Sequence, residues 1–220
     1  MKIGIIHATT NAVPPLNNAF KALAPEYTVL NFVDEYIQYY ANQIKGIDDK
    51  VHRDFVKLAT SAQEANVDAI IVACTVLTPI VDMVKPFITV PILAVDYPML
   101  EKAVKNYTKI GVVATNAPSG PATKNQLEKL AQELGKEITV DTEINTQAMT
   151  ELKAGNVEEH NRLNALAAEE LKKRGCEVIV LAQITQASAS SETEKLGLPV
   201  LSSPNESVKA IMKLIEKNAK

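Results

Sequence analysis

The side chain best suited to covalent or acid–base chemistry in this sequence is the thiol of Cys74. Cys74 follows the apolar run Ala69–Ala73 and precedes Thr75, which predicts a position at the carboxyl end of a buried strand, close to a helix start. A helix start favours the thiolate, the form of cysteine that acts as a nucleophile or as an acid/base group. The alternative is a small, buried, apolar side chain with no chemical role.

Two polar loops are the best candidates for holding a ligand. Residues 8–11 (Ala-Thr-Thr-Asn) and 114–119 (Ala-Thr-Asn-Ala-Pro-Ser) offer hydroxyl, amide and backbone N–H groups before a predicted helix, and helix N-termini attract anions. Neither loop has the spaced glycines or the Gly-Lys-Ser/Thr of a nucleotide site, so a small carboxylate is the better interpretation. Helix capping is the alternative for any one of these residues. The candidate ligand contacts in the two loops are Thr9, Thr10, Asn11, Thr115 and Ser119.

The roles of the three histidines and of the second cysteine are more ambiguous. His7 ends the first predicted strand, where it could contact substrate, transfer a proton or simply make one backbone hydrogen bond. His52 and His160 lie at predicted helix starts, where capping or surface exposure is the simpler interpretation. Cys176 comes at the amino end of its strand and is interpreted as structural. The cysteines lack the histidine spacing of a metal site, so we expect no metal.

The elements that must position these residues form an alternating pattern. Apolar runs of four to eight residues alternate with longer segments of helical period, which predicts α/β lobes with parallel sheets flanked by helices. The predicted strands are Lys2–His7, Tyr27–Phe32, Ala69–Ala73, Ile92–Val95, Lys109–Ala114, Glu137–Asp141, Val178–Ala182 and Val200–Ser202.

The two halves of the chain repeat each other at an offset of about 108 residues. The matched blocks, in the same order, are Ile3–Ile6 with Ile110–Val113, His52 with His160, Asp68–Cys74 with Glu177–Gln183, and Val90–Leu93 with Leu198–Leu201. The repeat predicts two pseudo-symmetric lobes, residues 1–97 with 205–220 and residues 98–204. Because parallel sheets bind ligands beyond the carboxyl ends of their strands, we expect a ligand cleft between the lobes.

Composition excludes some classes of function. The 220 residues include 46% hydrophobic and 22% charged residues, and the net charge is −3. We therefore expect a cytoplasmic protein with reduced cysteines, without a membrane span or a nucleic-acid groove. Three tyrosines, Tyr36, Tyr39 and Tyr40, are interpreted as core, as a lid or as the surface of a homodimer.

The repeated lobes, the run Ala73-Cys74-Thr75, the run Gly111–Thr115 and the run Val180–Gln183 together resemble the aspartate/glutamate/hydantoin racemase superfamily. The resemblance covers nearly the whole chain. It implies an enzyme without pyridoxal phosphate, metal or other cofactor, in which a cysteine from each lobe faces the substrate α-carbon. One cysteine removes a proton and the other returns it.

The sequence departs from that family at Gln183, which occupies the place of the second cysteine. An amide cannot shuttle a proton, so two-thiol racemization is not expected and Gln183 is predicted to orient substrate. The resemblance implies that Cys74 acts at the carbon next to the carboxylate of a small amino acid or dicarboxylate, with Thr75 and Thr185 among the substrate contacts. The alternatives are a single-cysteine decarboxylase, a cis–trans isomerase or a non-catalytic carboxylate-binding protein.

Overall fold

A computed structural model describes residues 1–74 and 77–218 of the chain. The elements of its first half follow one another as β1 (Lys2–His7), α1 (Val13–Leu23), β2 (Thr28–Val33), α2 (Glu35–Ile44), α3 (Asp49–Glu64), β3 (Ala69–Ala73), α4 (Val81–Val84), β4 (Ile92–Ala94) and α5 (Tyr97–Asn106). Short 3₁₀ turns at Thr10–Ala12, Thr78–Ile80 and Lys85–Phe87 join these elements.

The second half has the same succession of elements. They are β5 (Lys109–Ala114), α6 (Ser119–Glu133), β6 (Thr139–Ile144), α7 (Thr146–Lys153), α8 (Val157–Lys173), β7 (Val178–Leu181), α9 (Ser190–Glu194), β8 (Val200–Ser202) and α10 (Ser203–Asn218). A 3₁₀ segment at Ile184–Ala189 follows β7. In the described part of the chain, no helix is both long enough and apolar enough to cross a bilayer.

Each half forms a four-stranded parallel sheet with the same strand order. The orders are β2-β1-β3-β4 and β6-β5-β7-β8. All residues of the inner strands β3 and β7 are buried, as expected for strands covered on both faces. The edge strands β2 and β6 are mostly half-buried or exposed, which explains their mixed polar and apolar sequences.

The two sheets also share their pairing register. Ile3 of β1 pairs with Ala69 of β3, and Ile110 of β5 pairs with Val178 of β7. Because the same offsets that relate the sequence blocks relate the paired residues, Cys74 and Gln183 occupy the same position of their respective sheets. Cys74 is the first residue after β3, which ends at Ala73, and Gln183 is the second residue after β7, which ends at Leu181.

The chain divides into two compact units. The first contains Met1–Tyr97 and Pro204–Lys220, and the second contains Pro98–Ser203. Helix α5 therefore belongs almost entirely to the second unit, where Leu100 and Val104 pack into the core with Val112 and Val180. Helix α10 belongs almost entirely to the first unit. The core of the first unit is built around Phe55, which is fully buried and contributes roughly 1.5–3 kcal/mol of hydrophobic stabilisation.

Polar caps set several helix starts. Asp34 accepts a hydrogen bond from the backbone of Tyr36 at the start of α2, and Asp48 accepts two from the first turn of α3. Asn145 caps α7 in the same way. Such caps satisfy backbone N–H groups that have no partner inside the helix.

The sequence prediction was wrong at the edge strands β2 and β6. Strand β2 begins and ends one residue later than predicted. Strand β6 runs over Thr139–Ile144 instead of Glu137–Asp141, because pairing of Lys109 with Thr139 sets its register on β5. The physical reason is that an exposed edge strand carries a weak hydrophobic pattern, so its neighbour determines where it starts.

Candidate active site

The carboxyl end of the first sheet brings His7 and Cys74 onto neighbouring strands. His7 ends β1 and pairs with Ala73 of β3, directly before Cys74. Cys74 is 7% exposed and lies in the apolar cluster of the first unit. Its backbone carbonyl accepts hydrogen bonds from the backbone N–H groups of Leu77 and Thr78, both at 3.0 Å. The strand end and the following turn are therefore tied together at Cys74 itself.

His7 is fully buried and is held by one side-chain contact. Its Nε2 lies 2.9 Å from Oδ1 of Asn31 on β2, so Nε2 donates when the amide oxygen accepts. Among the described residues, its buried Nδ1 has no hydrogen-bond partner. Burial lowers the pKa of His7, and the hydrogen bond to Asn31 partly opposes that effect. A neutral ring with a vacant acceptor nitrogen can take a proton from a neighbouring group.

Two of the hydrogen-bond donors in the polar loop after β1 are already engaged by a side chain of the protein. The backbone N–H and the hydroxyl of Thr10 both donate to Oε1 of Glu35, at 3.2 and 3.0 Å. Thr9 is half-buried and Asn11 is exposed. An anionic ligand at Thr10 would therefore have to displace or repel the Glu35 carboxylate. Thr75, the other predicted contact of this unit, lies outside the described residues.

The carboxyl end of the second sheet joins Thr115 to Gln183. Oε1 of Gln183 accepts hydrogen bonds from the backbone N–H of Thr115 at 2.7 Å and from its hydroxyl at 3.0 Å. Thr115 is buried, and Gln183 is half-buried at the start of the 3₁₀ segment Ile184–Ala189. The amide of Gln183 thus links the loop after β5 to the loop after β7.

A buried hydrogen-bond chain continues from Gln183 into α8. The backbone N–H of Gln183 donates to Oε1 of Gln186 at 2.9 Å, and Nε2 of Gln186 donates to Oδ1 of Asn164 at 2.6 Å. Nδ2 of Asn164 lies 3.2 Å from Nε2 of His160. Nδ1 of His160 lies 2.7 Å from the backbone oxygen of Ala148. His160, Asn164 and Gln186 are fully buried, so the expectation of a surface or capping role for His160 was wrong.

The sequence analysis missed Asn164 and Gln186. One signal was available, because Asn164 recurs one helical turn after His160 on the stripe of α8 that also buries Ala168 and Leu171. A polar side chain on such a stripe indicates a buried network, since an unpaired amide in a core is costly.

Ser119 and Thr185 complete the predicted residues of the second unit. The backbone N–H of Ser119 donates to Oδ1 of Asn116 at 2.9 Å, which closes the turn before α6. Ser119 is half-buried. The hydroxyl of Thr185 is buried without a hydrogen-bond partner in the described part of the chain. Thr185 therefore retains a free donor two residues beyond Gln183.

The other predicted features lie away from these strand ends. Cys176 is buried before β7, at the opposite edge of the second sheet, and burial, with the Asp141 carboxylate, raises the pKa of its thiol. No disulfide joins it to Cys74. Within residues 1–74 and 77–218, no cluster of three or more His, Cys, Asp or Glu side chains could hold a metal ion.

The tyrosine group of α2 forms a surface layer. Tyr36 and Tyr39 are exposed, so the interpretation of these two residues as core is wrong. The rings of Tyr36 and Tyr40 stack with centroids 6.0 Å apart, and Nζ of Lys50 lies over both rings. Tyr40 also donates a hydrogen bond to Asp48.

A groove of about 810 Å³ opens on the second unit, at the amino ends of its strands. Its lining includes Lys109, Lys136, Glu128 and Glu177, which mix both signs of charge. The carboxyl ends that carry Thr115 and Gln183 lie at the other edge of the sheet. Since parallel sheets bind ligands beyond the carboxyl ends of their strands, we do not assign this groove as the active site.

Comparisons with known proteins agree with this architecture. An aspartate racemase homologue from Pyrococcus horikoshii OT3 is 17% identical, with a TM-score of 0.73 over 98% of this chain and 99% of the other. Allantoin racemase from Klebsiella pneumoniae is 18% identical, with a TM-score of 0.70 over 99% of this chain and 89% of the other. A glutamate racemase from Bacillus anthracis is 18% identical, with a TM-score of 0.69 over 98% and 82%.

The structural matches show that the fold is shared, while the sequence itself identifies the family. A search of curated proteins gives no significant match. The sequence profile of the Asp/Glu/Hydantoin racemase family, however, matches residues 3–211, nearly the whole chain. The repeated α/β units and this match lead to one conclusion, that the chain belongs to the Asp/Glu/Hydantoin racemase family.

Proposed function

We propose that the protein is a cofactor-independent enzyme that acts at the carbon next to the carboxylate of a small amino acid or dicarboxylate, with Cys74 as its acid/base or nucleophile. The observation that carries this proposal is the position of Cys74 in a racemase-family fold. The thiol follows the buried central strand β3, at the sheet edge where parallel α/β folds bind ligands.

The neighbouring His7 supports proton transfer at this sheet edge. His7 is the last residue of the strand beside β3, and its lowered pKa keeps the ring neutral there. Its vacant Nδ1 is then an acceptor for a proton. His7 pairs with Ala73, so its side chain and that of Cys74, one residue further on, start from opposite faces of the sheet. We therefore propose His7 as a ligand contact that accepts a proton, separate from the thiol of Cys74.

At the carboxyl ends of its strands the second unit has polar groups instead of a second thiol. Gln183 matches Cys74 in sheet position, but its amide neither gains nor loses a proton near neutral pH. Thr115, Ser119 and Thr185 accompany it at the same sheet edge. A single thiol at the carboxyl ends of the strands fits one-base chemistry, such as deprotonation and return of a proton on the same face, decarboxylation or cis–trans isomerization.

A second candidate function is favoured by the same glutamine. A protein that binds a small carboxylate without turnover needs the strand-end donors but not a pair of acid/base groups. Replacement of the expected cysteine by Gln183 is the observation in favour of this binding role. The position of Cys74 at the carboxyl end of a buried strand favours the enzyme.

An α-proton exchange experiment separates the two functions. The full chain is incubated in heavy water with L- and D-aspartate and with L- and D-glutamate, and the proton signal of the carbon next to the carboxylate is followed by NMR. We expect exchange or conversion of at least one compound. Cys74→Ser should abolish that activity because a hydroxyl is far less acidic than a thiol. Cys176→Ser, at the other cysteine, is the matched control and should retain it.

The contrary results are equally specific. Binding of a compound without exchange or conversion would support the carboxylate-binding protein. Equal activity of Cys74→Ser and Cys176→Ser would exclude Cys74 as the reacting group.

A further inference from the structure

The hydrogen-bond chain from Ala148 to Thr115 has a single consistent direction. A backbone carbonyl only accepts, so Nδ1 of His160 must donate to Ala148 and Nε2 of His160 must accept from Asn164. The same amide group of Asn164 donates to the backbone oxygen of His160 at 2.8 Å. Oδ1 of Asn164 is therefore the atom that accepts from Gln186.

The other end of the chain is fixed in the same way. A backbone N–H only donates, so the atom of Gln186 that faces the N–H of Gln183 must be its oxygen. The atom of Gln183 that faces the N–H of Thr115 must also be its oxygen. Turning any one amide around would place two donors or two acceptors against each other at a buried contact. Backbone groups thus determine the orientation of the three side-chain amides in this hydrogen-bond chain, those of Asn164, Gln186 and Gln183.

The side chain of Gln183 is left with free hydrogen-bond donors only. Its oxygen is occupied by Thr115, and in the described part of the chain no group hydrogen-bonds its Nε2. Gln183 is half-buried, so this amide group remains accessible. The side chain can therefore offer two N–H donors and no acceptor to a ligand.

We propose that His160, Asn164 and Gln186 are positioning residues that hold the backbone of Gln183, while Thr115 holds its side-chain oxygen, so that the N–H donors of Gln183 stay free for a carboxylate or carbonyl oxygen of the ligand. This inference rests on the proposed function for the identity of the ligand site. It assigns the ligand group that meets Gln183, which must be a hydrogen-bond acceptor. A ligand hydroxyl or ammonium that needs an acceptor has no partner there.

The first unit shows what replaces these positioning residues beside a cysteine. At the offsets of the repeat, Asn164 corresponds to Val56, and Gln186 corresponds to Leu77. Both pack with Cys74 in the apolar cluster of the first unit. Thr115 corresponds to Ala8, which is buried in the same cluster. In the described part of the chain, the two positions that correspond to Asn164 and Gln186 are therefore apolar in the unit that carries Cys74.

The orientation is tested first on the unaltered full chain by nitrogen-15 NMR of the histidine rings and glutamine amides. We expect His160 in the form with its proton on Nδ1. We also expect the Nε2 protons of Gln183 to exchange readily with water, whereas those of the buried Gln186 exchange slowly. A proton on Nε2 of His160 at neutral pH would overturn the inferred direction of the chain. This measurement needs no ligand, so it stands even if the proposed function fails.

The positioning role is tested with variants and with L-aspartate and L-glutamate as probes. Gln186→Leu should destabilise the fold. It should also lower the affinity for whichever probe the wild type binds roughly two- to twelvefold, the effect of one hydrogen bond. Asn164→Val/Gln186→Leu copies the first unit and should recover part of the stability while binding stays weak. Thr193→Val is the matched control, because it removes one buried hydrogen bond to Ala189 outside this chain of residues, and should bind as the wild type does.

A purely structural role would give a different pattern. If binding recovered together with stability in the double variant, or if the Gln183 amide signals of Gln186→Leu equalled those of the wild type, the positioning role would be excluded. If the wild type bound neither probe, the proposed substrate class would fail, and the Gln183 signals of the variants alone would decide the positioning role.

Discussion

Two substitutions at Gln183 separate what its oxygen does for the fold from what its nitrogen does for a ligand. Gln183→Ala removes the acceptor of the Thr115 backbone N–H, at 2.7 Å, and of its hydroxyl, at 3.0 Å. Thr115 is only 1% exposed, so water cannot easily replace the lost oxygen. An unsatisfied buried N–H costs about 1–3 kcal/mol. The free energy of unfolding should fall by that amount, out of a typical total of about 5–15 kcal/mol.

Gln183→Glu has nearly the same shape and keeps an oxygen facing Thr115. The half-buried carboxylate still accepts both hydrogen bonds, so the free energy of unfolding should change by less than about 1 kcal/mol. The other carboxylate oxygen replaces Nε2 and repels a ligand carboxylate. Gln183→Glu should therefore be as stable as the wild type but lose ligand binding, whereas Gln183→Ala should be less stable.

Urea unfolding followed by circular dichroism at neutral pH measures these differences as shifts of the midpoint at a constant denaturant slope. Thr115→Val adds a control, because it removes the hydroxyl and leaves the N–H. Combined with Gln183→Ala it should show a coupling energy of roughly 0.5–1.5 kcal/mol. Equal stability of the Ala and Glu variants would refute the link between Gln183 and Thr115.

Two further predictions concern the first unit and the second cysteine. Iodoacetamide should label Cys74 faster than Cys176, since burial raises the pKa of the Cys176 thiol, and a bound carboxylate should protect Cys74. Equal labelling rates in timed mass spectrometry would contradict this. Burial lowers the pKa of His7 from 6.5, so the unfolded chain binds more protons below that pH, and the free energy of unfolding should fall as pH drops through about 6.5. In urea titrations, the free energy of unfolding of His7→Gln should change less with pH than that of the wild type. The same change with pH in both proteins would contradict this role of His7.

The inner strands of both sheets were predictable because their information is local. Strands β1, β3 and β5 have their predicted bounds, and β7 begins at the predicted Val178 and ends one residue early. Continuous apolar runs are typical of strands buried on both faces. The edge strand β6 could not be placed in this way. Its start depends on pairing with β5, and that partner lies about thirty residues earlier in the chain.

The candidate site was only partly visible in the sequence. Cys74 and Gln183 follow apolar runs and are related by the repeat, so their positions at the strand ends could be predicted. The contact between Thr115 and Gln183 joins residues 68 positions apart, and no spacing rule specifies it. Glu35, at the start of α2, likewise accepts both hydrogen bonds of Thr10 from 25 positions further along the chain. Such partners emerge only when the sheet assembles.

The backbones at the ends of β3 and β7 are alike because of the repeat, but the surrounding side chains differ. They favour a thiol at position 74 and an amide at position 183. Around Cys74, Ala8 and Leu77 are apolar, and a thiol makes no demand for strong hydrogen bonds. Around Gln183, the buried N–H and hydroxyl of Thr115 need an acceptor, and the side-chain oxygen of Gln183 is that acceptor. A cysteine at position 183 would leave the Thr115 N–H unsatisfied, because sulfur is a weak acceptor on a shorter side chain. The second unit is therefore adapted as a whole to an amide, and a change of chemistry there requires its neighbours to change with it.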